Sequence, residues 1–162
     1  MKYENDYSYS DELKNFYDKV KESLKRKVSY NNMTSVALDN VDMNLLKEEI
    51  CRFVFLDTQY NKLGYIQFKG ITNQCFVYMR KVIKKAISLN STCVIMIHNH
   101  PAKSDRFSDS DYMITQKAYI AFKSIDMYLE DHILLHGTGH KSLRLNDSLE
   151  WKKILKRSKS IF

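Results

Sequence analysis

Cys93-Val-Ile-Met-Ile-His-Asn-His-Pro101 is a near-continuous apolar run that ends in two histidines and the chain's single proline. A run of this kind is expected for a central strand covered on both faces. Proline cannot continue a central ladder, so the strand stops there and opens into a loop. Residues two apart on an extended chain project to the same side, which puts His98 and His100 together at the mouth of a cleft. Further on, Ser108 is a good N-cap for a helix through about Lys123, and Asp109 and Asp111 fall in its first turn, where the dipole favours negative charge. The loop is long enough to return the helix start to the strand end. Two imidazoles, one carboxylate and an open position form the ligand set of a catalytic rather than a structural zinc site. Taken singly, Asp111 is a dipole-favoured acid, Ser108 a cap, and either histidine a surface or core residue. The joint spacing is what points to metal.

Other elements surround this strand. Asp11 to Lys27 has a thin apolar stripe, Phe16, Val20 and Leu24, and reads as a helix. Met33-Thr34-Ser35 offers a cap for a short helix toward Lys47. Phe53 to Leu56 and Leu63 to Phe68 read as strands separated by a polar turn. Gly70-Ile-Thr-Asn ends the second. Phe76 to Leu89 reads as a helix with Met79, Val82, Ile83, Ala86 and Ile87 on one face. Tyr128 to Leu135 suits a further strand, Gly137-Thr-Gly139 a turn, Ser142 to Leu145 a returning strand, and Asp147 to Lys156 a closing helix. The mixed order predicts an α/β domain: one mixed, mainly antiparallel sheet flanked by helices.

The chain has 162 residues, enough for one domain with its own core, and 44% are hydrophobic. Its three cysteines, Cys51, Cys75 and Cys93, form no close pair, which argues against a disulfide framework and a thiolate zinc site. The polar, acidic start MKYENDYSYSDE does not read as a signal peptide, and the longest apolar run is too short to span a bilayer. A cytoplasmic protein without membrane contact is expected. The net charge of +7 is concentrated near Trp151 to Lys159, a basic tail that suits either a solvated helix face or contact with nucleic acid.

The spacing H-x-H-x7-S-x-x-D, met here as His98, His100, Ser108 and Asp111, resembles the signature of the JAMM (JAB, MPN-plus) zinc metallopeptidases. The His98-Asn-His-Pro101 version is similar to the RadC branch. Phe53-Val-Phe-Leu-Asp57, Gly70-Ile-Thr72, Arg80, Thr115 and Asp131-His132 also fall where RadC-like domains carry similar residues. The resemblance spans residues 45 to 146. It implies a JAB/MPN fold with cytidine-deaminase-like layering, preceded by a polar helical extension (1–44) and followed by a basic tail (147–162). The helix-hairpin-helix region of full-length bacterial RadC is not recognisable in residues 1 to 44, so a stand-alone JAB domain is expected. The family's usual H-N-H-P-S-G, with proline before the motif serine, is replaced here by Ala102, Lys103 and Phe107, which predicts a more basic and less rigid loop.

The resemblance also implies roles. His98, His100 and Asp111 would hold zinc. A glutamate seven positions before the Leu of the Leu-Asp pair would be the general base, which is Glu49, with its neighbour Glu48 as the fallback. Adjacent strand residues face opposite ways, so only one can reach the metal. Ser108 would donate to the developing oxyanion, and the scissile bond would be an amide or isopeptide of a peptide or protein substrate. The alternative is a DNA-associated accessory protein with a structural or vestigial metal site, touching nucleic acid through its basic tail. A fold-only interaction module is the third reading, opposed by the intact ligand set. His132, His136 and His140 lie four apart, but Gly137 and Gly139 favour strand and turn over a second metal-binding helix. Asp131-His132 is expected to brace the site.

Overall fold

The computed structural model describes residues 29–71, 74–75 and 77–159. The apolar run forms β4 (Cys93–His100), whose first seven residues are all buried. Beside it runs β1 (Ile50–Leu56), buried throughout. With β2 (Lys62–Ile71), β3 (Gln74–Cys75), β5 (Tyr128–His136) and β6 (Gly139–Ser142) they make a sheet in the order β3-β2-β1-β4-β5-β6. Only β4 and β5 pair in parallel; the other four pairings are antiparallel. The expected mixed, mainly antiparallel α/β sheet is therefore what forms.

Side-chain alternation divides the core into two layers. Cys51, Phe53 and Phe55 of β1, with Val94 and Met96 of β4, face α2 (Met79–Ser88), α3 (Asp109–Lys123) and α5 (Ser148–Lys159). Ile50, Val54 and Leu56, with Ile95 and Ile97, face α1 (Met33–Asp39) and the 3-10 turn Val41–Leu45. Arg52 belongs to this second face and is only 4% exposed. A lone buried cation is costly; here the guanidinium donates to both Asp42 carboxylate oxygens (3.0 and 2.6 Å) and to Asn40 Oδ1 (2.9 Å). This pairing ties the segment before β1 to the sheet.

Several local expectations are corrected. The cap of the first helix is Asn32, whose side chain accepts from Ser35 N (2.9 Å), one residue ahead of the stretch from Met33 to Ser35. That helix ends at Asp39 rather than running toward Lys47, because Asn40 caps it and the chain tightens into the 3-10 turn. Strand β2 runs on through Ile71, and β3 pairs with it antiparallel. In α2, Ile87 is 64% exposed, and Val82 and Ala86 are the buried positions. The returning strand is Gly139–Ser142. Ser142 then caps a helical turn, α4 (Leu143–Asn146), by accepting from Leu145 N (2.9 Å), so Leu143 to Leu145 are not strand. The helix expected over Asp11 to Lys27 lies outside the described residues.

Candidate metal centre

Helix α3 begins where the sequence places it. Ser108 Oγ accepts from Asp111 N (3.2 Å), and Asp111 Oδ2 accepts from Ser108 N (2.7 Å), which closes a capping box. Phe107 stands just before the cap and packs on Tyr112, with ring centroids 6.2 Å apart. This is a hydrophobic staple between the residue preceding the cap and the fourth helical residue. It fixes the angle at which the loop enters α3, so the position where the family carries proline is ordered here by packing. Phe107 also covers His98 and His132, at 5.7 and 5.4 Å between centroids.

The staple and the cap deliver Asp111 to the end of β4. His98 Nε2 lies 3.0 Å from His100 Nε2 and 3.3 Å from Asp111 Oδ1, and His100 Nε2 lies 3.6 Å from Asp111 Oδ2. Ligand atoms about 2.1 Å from a tetrahedral ion stand about 3.4 Å from one another. The two imidazole nitrogens and the nearer carboxylate oxygen of each pair lie close to that value, and one donor atom from each residue falls within 4.8 Å of the others, so the three residues could hold a cation. The orientation fits as well. The backbone carbonyl of Ser104 can only accept, so His100 Nδ1 carries the hydrogen of their 3.0 Å contact and Nε2 presents a lone pair to the centre.

Electrostatics agree. Burial alone would raise the Asp111 carboxyl, but contacts with His100 and His98 outweigh it and hold the group well below the usual carboxylate range. Burial would lower His100; its contacts with Asp111 and the Ser104 carbonyl, and the charges of Asp111 and Glu49, raise it instead. Negative charge is thus gathered where a cation would sit.

Glu49 immediately precedes β1. Cys51 pairs with His98 across β1 and β4, and continuing that antiparallel register by two residues sets Glu49 opposite His100, on the site face. Glu48 faces away and pairs with Lys69 (2.5 Å). Asn99 points to the other face of the sheet, between the two histidines. Its Oδ1 accepts from Ile50 N (2.7 Å) and its Nδ2 donates to Glu48 O (2.9 Å). Asn99 thus organises the segment that carries Glu49. Glu48, Glu49, Lys69, His100, Arg106 and Ser108 are among the residues lining a cleft of about 580 Å³. Ser108 Oγ donates its hydrogen to Asp111 Oδ2 (2.7 Å).

His132 joins the site through a bulge. Val94 pairs with Leu129 but Ile95 pairs with Asp131, so Glu130 is an extra residue in β5. Strict alternation from Leu129 would turn His132 to the far face; the bulge brings it to the face of His98, a use of bulges common beside functional sites. Its Nε2 lies 2.8 Å from His98 Nδ1 and its Nδ1 lies 2.6 Å from Thr115 Oγ1. Burial, then the neighbouring His98, pushes its pKa well below the ordinary histidine value. Asp131 braces the next turn, accepting from His132 N, Arg144 N and Ser142 Oγ (2.7, 3.0 and 2.5 Å). His136 lies on β5 in register with His100, and His140 lies on β6. A Cβ at Gly139 would come within 2.7 Å of the His136 ring, which would have to turn aside.

A family profile for the RadC-like JAB domain matches residues 29–148. The chain belongs to the RadC-like JAB domain family. Among relatives of this RadC-like domain, a UPF0758 protein of Clostridium botulinum (strain Alaska E43 / Type E3) is 35% identical over 108 residues, covering 66% of this chain and 47% of that protein. A UPF0758 protein of Methylibium petroleiphilum is 36% identical over 88 residues, covering 54% and 40% respectively. A third, of Pseudoalteromonas translucida, is 36% identical over 99 residues, covering 60% and 44%. The chain therefore spans less than half the length of the curated relatives it matches. No helix among the described residues of the RadC-like domain is long and apolar enough to cross a membrane.

Proposed function

We propose that this RadC-like domain is a zinc-dependent hydrolase that cleaves an amide or isopeptide bond. The observation that carries the reading is the convergence of His98 Nε2, His100 Nε2 and an Asp111 carboxylate oxygen, all within 4.8 Å of one another, beside the cleft that Glu49 lines. Such a set leaves a fourth position for water or substrate. When bound, zinc supplies Lewis acidity, polarising the scissile carbonyl and bringing a water's pKa near neutrality.

The chain's own residues do the rest. Glu49 carries a carboxylate on the face of His100, placed to take a proton from the attacking water and return it to the leaving amine. Glu48 pairs with Lys69 and stands one residue out of step with His100, which favours Glu49 for this role. Ser108 lines the same cleft, and its hydroxyl, which donates to Asp111 Oδ2, would be the group to donate to an oxyanion if Asp111 held a cation instead. A donor of this kind contributes about 3 kcal/mol to the transition state. The test is a peptidase and isopeptidase screen of zinc-loaded protein beside Glu49→Gln. Turnover by the wild type and its loss in a variant that still binds zinc supports the reading. Equal turnover by both removes Glu49 from it.

A second reading is nucleic-acid contact through α5. Lys152, Lys153, Lys156 and Arg157 all lie on its exposed side, while Trp151, Ile154 and Ser158 are buried. Phosphate neutralisation by this face predicts DNA affinity that falls steeply with salt and weakens when Lys152, Lys156 and Arg157 become Gln. No binding at low salt excludes it.

A further inference from the structure

Three buried side chains behind the candidate metal centre form a directed chain of hydrogen bonds, and its direction follows from atom types alone. Thr115 Oγ1 lies 2.5 Å from the backbone carbonyl of Asp111. Two oxygens at that distance need a hydrogen between them, and the carbonyl has none, so the threonine hydroxyl donates to it. Its only hydrogen is then committed. Toward His132 Nδ1, at 2.6 Å, Thr115 Oγ1 can only accept, so His132 carries its hydrogen on Nδ1. A neutral imidazole with Nδ1–H has a bare Nε2. That Nε2 lies 2.8 Å from His98 Nδ1 and must accept from it. His98 therefore holds a hydrogen on Nδ1, and Nε2 is the atom it turns to His100 and Asp111, where a cation would lie between the two Nε2 atoms 3.0 Å apart.

From this we infer that Thr115 and His132 are positioning residues that fix the tautomer of His98, leaving Nε2 as a ligand atom. The inference rests on the metal reading above. His132 is not itself a ligand: it is fully buried, and both its nitrogens are engaged by Thr115 and His98. Thr115 lies one helical turn beyond Asp111, so α3 supplies both a candidate ligand and the anchor of the chain that orients another. The backbone carbonyl of Asp111 is the final acceptor, which ties the tautomer of His98 to the seating of α3. The bulge at Glu130 is what allows His132 to take part.

Without the Thr115 hydroxyl, nothing holds the His132 hydrogen on Nδ1. If it moves to Nε2 it faces His98 Nδ1, and His98 must carry its own hydrogen on the ligand atom. Partners of this kind change metal affinity by about 10- to 100-fold. The experiment measures zinc affinity by chelator competition for the wild type, Thr115→Val, Thr115→Ser and His132→Leu, with circular dichroism to confirm folding. It also reads the histidine nitrogen shifts of the metal-free wild type at alkaline pH, which needs no variant to fold. Expected are zinc binding weakened by about 10- to 100-fold in Thr115→Val and His132→Leu, near-wild-type binding in Thr115→Ser, and the His132 hydrogen on Nδ1. Zinc binding unchanged in a folded Thr115→Val, or a His132 hydrogen on Nε2, overturns this inference and leaves the metal reading intact. A wild type that binds no zinc overturns both.

Discussion

Asn99 grips the backbone on both sides of Glu49, accepting from Ile50 N and donating to Glu48 O. The residue between the two histidines thus sets where the candidate base stands relative to them. Asn99→Ala leaves the buried Ile50 N–H without its acceptor, which costs about 1–3 kcal/mol, and frees the half-buried Glu48 carbonyl. The expected outcome is a lower urea midpoint with zinc stoichiometry unchanged, and turnover reduced more than in variants of equal stability elsewhere. Wild-type stability in Asn99→Ala would contradict the grip.

The buried Arg52–Asp42 pair makes a second prediction. Both side chains are 5% exposed, so Asp42→Ala leaves a buried guanidinium without its carboxylate. Breaking one partner of such a pair costs about 3–5 kcal/mol, whereas replacing both by apolar residues of similar volume is often near neutral. Chemical denaturation should therefore show Asp42→Ala to be less stable than the double variant Asp42→Leu, Arg52→Met.

Lys103 occupies the position where RadC-like domains usually carry glycine, and it keeps the backbone that glycine would favour. Its φ is +60°, and its N–H closes the turn onto His100 O (2.8 Å). The left-handed region costs a non-glycine residue about 1–2 kcal/mol, partly offset by glycine's greater freedom when unfolded. Lys103→Gly should leave thermal stability equal or raised, and Lys103→Val should lower it. A clear loss of stability in Lys103→Gly would show the turn to be unstrained.

Cys93 tests the second core layer. Burial, then the charge of Glu130, pushes its thiol up to about 11. The thiolate is the reactive form, and below this pKa its fraction rises tenfold with each pH unit. In a Cys51→Ala, Cys75→Ser background, alkylation should keep climbing from pH 7 to pH 10. A plateau near pH 8.5 would mean an ordinary, accessible thiol.

Much of the site was legible before the fold. His98, His100, Ser108 and Asp111 sit on a strand end and a helix start, two elements with strong local signals, and a short loop joins them. Glu49 came only through resemblance, because a single acid before a strand carries no signal of its own; the register of β1 with β4 shows why it faces His100 while Glu48 does not. Resemblance pointed to His132 as a brace, but the atoms it meets, and the role of Phe107, were hidden for different reasons. Alternation read from Leu129 misplaces His132, since a one-residue bulge has no clear mark in the sequence. Phe107 looked like a missing proline, although an aromatic before a cap with Tyr112 five residues on is the pattern of a staple. Leu143 to Leu145 looked like strand because apolar alternation in so short a piece cannot show that Ser142 caps a helical turn.

The account stands on a cation held by His98, His100 and Asp111, and the most direct test is zinc titration into chelator-treated protein, followed by calorimetry. About one zinc per wild-type chain is predicted, with binding lost in His98→Ala and in Asp111→Ala and kept in Glu49→Gln. A wild-type protein that takes up no zinc, or folded ligand variants that bind it as tightly as the wild type, would contradict it.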